Sequence, residues 1–158
     1  MKKQLITNIT LNKIKEQIID AAKKNFNKDG FLAPTAIILT KTGEIRPFLL
    51  NMSSIEEKEN TEIFLKEYVI ENDAIMIMTI MECFMKQMSK EEYQLSGKSL
   101  KDAKDKTEGV VITFETAFTG ELLQLEIDRE KQELLDGIKT SEYEGRFSNI
   151  LKKPISEN

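Results

Sequence analysis

The 158-residue chain has no histidine and no tryptophan, one cysteine, three prolines and seven glycines. Without histidine there is no imidazole base, no imidazole metal ligand, and no Ser-His or Cys-His nucleophile pair. A lone cysteine, Cys83, excludes an intramolecular disulfide and suits a reducing compartment. So little glycine and proline, beside 40% apolar and 32% charged residues, excludes collagen-like, low-complexity and fully disordered chains. No apolar run approaches the ~18 residues of a membrane span. Polar Thr7 and Asn8 follow Met1-Lys2-Lys3-Gln4-Leu5, so no signal-peptide apolar region is read there. Arginine is scarce as well. Of 23 basic residues only Arg46, Arg129 and Arg146 are arginines, against 27 acidic residues and a net charge of -4. Arginine is the residue of choice for bidentate phosphate recognition, and phosphate contacts dominate nucleic-acid affinity, so extended DNA or RNA binding is disfavoured.

What is present reads as one α+β domain over residues 1–158, in the order helix, two strands, helix, strand, long loop, two or three strands, helix. The sheet is expected to be mostly antiparallel, with five to six strands. Leu11, Ile14, Ile18, Ala22 and Phe26 recur at helical spacing over 10–28, with Thr10 as N-cap and Asp29-Gly30 as the stop. Residues 34–40 and 44–50 form a hairpin around Lys41-Thr42-Gly43. Pro47 cannot donate to a ladder, which places its strand at an edge or at a bulge. Arg46 beside it reads as an edge charge that discourages strand-to-strand aggregation. Ser53 or Ser54 opens a second helix, with Glu56 or Glu57 completing a capping box and Ile63, Phe64, Tyr68 and Val69 on one side.

Ala74 to Met85 is apolar on both alternating faces, the pattern of a central strand covered from two sides, although a buried helix has the same composition. Residues 86–107 are polar and read as a long surface loop; Gly97-Lys98-Ser99 lacks the upstream glycine of a phosphate loop, since Glu92 stands there. Val110 to Phe118 and Leu122 to Arg129 form the clearest hairpin. A two-residue turn at Thr119-Gly120 would pair Phe114 with Leu125 and Ile112 with Ile127. Glu133 to Gly137 supplies a last strand. Tyr143, Phe147, Ile150 and Leu151 form a C-terminal helical stripe, and residues 155–158 fray.

Five side chains are candidates for chemistry. Glu82 interrupts the apolar run on the face of Met76, Met78 and Ile80, where a carboxylate is desolvated unless a cation reaches it. Asp105 and Glu108, with Asp102, make an acidic cluster, but Lys101, Lys104 and Lys106 interleave it and no EF-hand spacing exists, so no metal or cofactor is expected. Arg129 continues the core-facing parity of Leu123, Leu125 and Ile127 and needs a carboxylate, Glu108 or Glu82; the alternative is an anion site. Arg46 is the second candidate for an anion. Cys83, with no histidine to activate it, reads as a small buried hydrophobe, and the methionines of 76–88 as core.

Ile80-Met81-Glu82, a polar loop closing on Asp105-Lys106-Thr107-Glu108, and a strand ending Glu126-Ile127-Asp128-Arg129 resemble a group of small uncharacterised phage and prophage proteins, over roughly residues 31–137. The resemblance implies no activity; it implies a mobile element acting in a bacterial cytoplasm. The first function class is therefore a non-enzymatic binding protein that sequesters a host component or a small anionic ligand, including an anti-defence role. A structural or oligomerisation module is the second, and a carboxylate-dependent hydrolase centred on Glu82 the third. The surplus of amphipathic faces points to a homodimer through the Tyr143–Leu151 stripe, with no membrane partner.

Overall fold

The computed structural model describes residues 8–85, 107–140, 150 and 151. Its elements are α1 (Asn8–Asp29), β1 (Thr35–Thr40), β2 (Ile45–Leu49), α2 (Ile55–Glu71), β3 (Ala74–Met85), β4 (Thr107–Glu115), β5 (Gly120–Asp128) and β6 (Glu133–Thr140). Among the described residues the sheet has six strands in the order β2-β1-β3-β4-β5-β6, every neighbouring pair antiparallel. This is the α+β class that the pattern of elements predicts. Asp105 and the rest of 86–106, Tyr143 and Phe147 of the expected C-terminal helical stripe, and residues 155–158, expected to fray, lie outside the described residues; Ile150 and Leu151 of that stripe are in a bend. Thr107, read as the last loop residue, opens β4 instead.

Helix α1 already includes Asn8 and Ile9, so Thr10 lies inside it and is not its N-cap. Its end is as expected: Gly30 adopts φ 78° and its N–H donates to the Phe26 carbonyl at 2.8 Å, the left-handed closure that a Cβ would oppose. Leu11, Ala22 and Phe26 are buried on the sheet, with Ile14 and Ile18 packed beside them. Ser54, not Ser53, caps α2 by accepting the Glu57 N–H at 3.1 Å. The Glu57 carboxylate accepts from Asn51 Nδ2 at 3.2 Å.

The buried face of α2 is Leu65 and Val69, while Ile63 and Phe64 are exposed, contrary to the predicted stripe. Leu65 and Val69 pack with Ile38 and Ile77 over the sheet. Phe64 instead lies at the margin, in edge contact with Phe48 and tilted against Tyr68, ring centroids 5.4 and 5.7 Å apart.

The two helices take opposite faces. Leu39, Met76, Met78, Ile80, Val110, Ile112, Phe114, Leu125, Ile127 and Leu134 share a core with α1, whereas Ala36, Ile38 and Ile77 share one with α2 and Ile150. β3 therefore has apolar side chains on both faces because both faces are covered, which settles it as a strand.

Pro47 sits on the outermost strand without a bulge. Thr40 N–H donates to Glu44 O and Leu50 N–H to Pro34 O, both at 2.9 Å, so residues 44, 46, 48 and 50 face β1 and Pro47 turns its nitrogen to the free side. The β4–β5 hairpin closes through a four-residue turn, Thr116–Thr119, which pairs Glu115 with Gly120, Phe114 with Glu121 and Ile112 with Leu123. The predicted two-residue turn is thus wrong by four residues of register. The slip is even, so the side chains that stay in the two strands keep their predicted faces, while Phe118, expected at the end of the first strand, falls in the turn instead. Thr116 causes it: its hydroxyl accepts the Thr119 N–H at 3.1 Å and bonds the Thr119 hydroxyl at 2.7 Å.

On the α2 face the buried polar residues are Thr40, Thr79, Thr113 and Glu115. The hydroxyls of Thr79 and Thr113 bond each other across β3 and β4, and the Thr79 N–H donates to Thr113 Oγ1 at 3.2 Å. Among the described residues no buried side-chain nitrogen or oxygen is left unpaired.

Candidate functional site

Three of the five candidate side chains converge. Glu82 near the end of β3, Glu108 near the start of β4 and Arg129 just past β5 meet where α1 terminates. Arg129 Nε donates to Glu108 Oε2 at 2.8 Å, its NH1 donates to the Gly30 carbonyl at 2.9 Å, and its NH2 lies 3.9 Å from Glu82 Oε2. The guanidinium carbon stands 5.7 Å from the Phe26 ring centroid. The other Glu82 oxygen accepts the Leu32 N–H at 2.8 Å. Arg129 thus supplies the cation that Glu82 requires, and a positive charge at the negative end of α1 is favourable. The hydrogen bond to Glu108 raises the Arg129 pKa further, while burial acts the other way. A second contact, Gln132 Nε2 to the Asn27 carbonyl at 2.7 Å, clamps the same helix end. Every arm of this cluster holds protein to protein.

Arg46 is not part of it. It lies on the α2 face at the opposite margin of the sheet, where its NH1 donates to the Tyr68 hydroxyl at 2.6 Å and to Asn72 Oδ1 at 3.3 Å. Glu44, two residues earlier, pairs with it and is the main reason its pKa is raised, with Tyr68 second. Arg46 therefore ties β2 to the end of α2 instead of standing as a bare edge charge. Cys83 is half-buried on the α2 face, and burial pushes its thiol pKa up.

The structure adds a site that residue-type reasoning missed. α1 crosses the sheet and leaves an open cleft of about 410 Å³ beside β1. Ile37 and Ile80 form its floor, Ile18, Ala21 and Ala22 one wall, and Phe31 to Ala33 the other. Asn25, Asp29 and Thr35 are its polar lining, and Asp29 is the only ionisable group among them. Two features of the sequence foreshadow it: adjacent small residues, Ala21-Ala22, on an otherwise bulky helix, and an apolar Phe31-Leu32-Ala33-Pro34 connection where a polar loop is the rule. The volume is within the ~300–1,000 Å³ of small-ligand sites.

Among the described residues no three cysteine, aspartate or glutamate side chains converge as a metal site requires. No helix among them is long and apolar enough to cross a membrane. The chain matches no protein-family profile, no curated protein and no solved structure.

Proposed function

We propose that the chain is a non-enzymatic binding protein that holds an apolar group of its partner in the cleft between α1 and β1. The observation that carries this reading is the cleft's lining: an apolar floor and walls, open to solvent, with a few polar groups at hand to orient an occupant. Phe31, on the wall, is an exposed aromatic of the kind that anchors interfaces. The lining has Asp29 and neither lysine nor arginine, which favours an apolar occupant over a small anion. Both arginines that are anion candidates already have protein partners: Arg129 meets Glu108, Glu82 and the Gly30 carbonyl, and Arg46 meets Glu44, Tyr68 and Asn72. We propose a component of a bacterial host as the partner.

Native mass spectrometry of the chain, freshly purified from a bacterial host, tests this. The expected result is a co-purifying species that is lost when Ala21→Trp fills the cleft. Retention of that species by the folded Ala21→Trp variant would overturn the cleft as the contact site.

A further inference from the structure

We propose that a second copy of this chain supplies one occupant of the cleft: the Phe118 side chain at the tip of the β4–β5 turn. The proposal rests on the reading of the cleft as a contact site for apolar groups and names one such group.

Phe118 is 91% exposed, more than any other large apolar residue described. The turn that carries it is closed by hydrogen bonds. Thr116 Oγ1 accepts the Thr119 N–H at 3.1 Å and the Phe118 N–H at 3.4 Å, and the Thr116 N–H donates to the Thr119 carbonyl at 2.9 Å. An aromatic ring on a pre-ordered turn loses little conformational entropy when it docks, which is what makes an anchor residue. The cleft of its own copy lies elsewhere. The turn lies at the end of the sheet where α1 begins, since Glu121 just after it pairs with Lys15. The cleft lies along the later half of α1, from Ile18 to Asp29.

Size and charge both fit. A phenyl ring fills a cavity of ~150 Å³, so a cleft of about 410 Å³ takes the Phe118 ring with room for its turn neighbours. At the base of the turn, on the face that α1 covers, Glu121 is bonded to both Lys15 and Lys139, at 3.3 and 3.4 Å, two ammonium groups to one carboxylate, while the carboxylate of Glu115 lies on the opposite face. The cleft presents the Asp29 carboxylate. Like charges do not meet, and the surplus lysine has a partner across the contact.

The contact is heterologous, knob of one copy into cleft of the next, so each half can be removed separately. Both Phe118 and Ala21 are exposed, and Phe118→Asp and Ala21→Trp are expected to fold as the parent does. Sedimentation velocity then reads three samples. The parent is expected to self-associate with rising concentration, and each variant alone to associate at least ~10-fold more weakly, the loss that about 1.4 kcal/mol of contact corresponds to. An equimolar mixture is expected to recover association, because the Phe118→Asp copy keeps its cleft and the Ala21→Trp copy keeps its phenylalanine, and to stop at two chains. A parent that stays a single copy at every concentration overturns the proposal, as does a mixture that associates no better than its components. If the parent stays single while Ala21→Trp still expels a co-purified species, self-docking falls and the cleft reading stands. If Ala21→Trp changes neither, both fall.

Discussion

The carboxylate of Glu115 accepts the Leu151 N–H at 2.6 Å through one oxygen and the Ile150 N–H at 3.2 Å through the other. Glu115 is only 2% exposed, and Ile150 is buried in the core that α2 makes with the sheet. One side chain on β4 thus fixes the arrival of a segment 35 residues further on. Glu115→Ala leaves two backbone donors without these acceptors, at about 1–3 kcal/mol for each group that stays dry. Glu115→Gln keeps one carbonyl acceptor and should lose roughly half as much. Urea unfolding measures the difference, and amide exchange at Ile150 and Leu151 locates it. An alanine variant as stable as the parent would show that the contact contributes nothing.

Arg129 is less buried than Glu115, with a side chain 47% exposed. Removing one member of a buried ion pair costs ~3–5 kcal/mol, but an exposed pair is worth ~0–1 kcal/mol after solvent screening. Arg129→Met is therefore expected to cost about 1 kcal/mol, near the upper limit for exposed pairs because the guanidinium also closes the end of α1. Raising the salt concentration should shrink the gap between parent and variant. A loss that is large and independent of salt would mean that packing against Phe26, not charge, is what Arg129 contributes.

Alternation and capping made most of this fold legible. The faces of β3, β4 and β5, the Gly30 stop and the outermost place of Pro47's strand all follow from local rules that tertiary contacts did not override. The even register slip at Thr116 left the faces intact while moving every partner. A pairing of Glu82, Glu108 and Arg129 could be read because parity put them on one face at one end of the sheet. The cleft could not be read the same way. It exists because α1 lies across the sheet and leaves part of β1 uncovered, and helix placement on a sheet is not encoded in any one residue's chemistry. For the same reason the stripe Ile63, Phe64, Tyr68 and Val69 does not say which of its members is buried: helical spacing gives a stripe, but the width of the sheet beneath decides which residues of the stripe have something to cover.

Gly137 marks the β5–β6 irregularity that falls between Gln124 and Glu126. A Cβ at this position would stand 1.3 Å from the Gln124 carbonyl oxygen, so the neighbouring backbone itself must retreat. Gly137→Ala is expected to cost ~3 kcal/mol or more, the upper range of overpacking penalties. The loss should appear as faster amide exchange along β6 before global unfolding. Unchanged protection in β6 would show that the two strands separate there without cost.

The half-buried Cys83 thiol has its pKa raised by desolvation. The sign follows from which form is disfavoured. The folded state resists the thiolate, so the favourable contribution is fully present below the unfolded value of ~8.5 and is lost as pH rises from there toward the folded value. The stability difference between parent and Cys83→Ala should accordingly move against the parent above about pH 8.5. Labelling by a thiol reagent at pH 8 should be slower than for a free cysteine peptide. Labelling as fast as the peptide would mean that the thiol is neither shielded nor shifted.

Pro47 protects the outer side of β2. The strand is only five residues long, yet Ile45 and Leu49 are exposed on it, Leu49 by 80%, and such an edge invites pairing with another chain. Because residues 46 and 48 face β1, proline costs the β1–β2 ladder nothing and removes the one outward donor between Ile45 and Leu49. Pro47→Val restores that donor and adds a β-branched side chain suited to a strand. The folded chain should change in stability by no more than about 0.5 kcal/mol, as for most surface substitutions. Aggregation should rise nonetheless, with the growth of cross-β dye binding as its signature. The comparison is best made in the Phe118→Asp background, where association through the cleft is already removed and any new assembly reports on the edge. If Pro47→Val stays as soluble as its parent there, the short strand and Arg46 are sufficient guards, and proline at this position is a bystander.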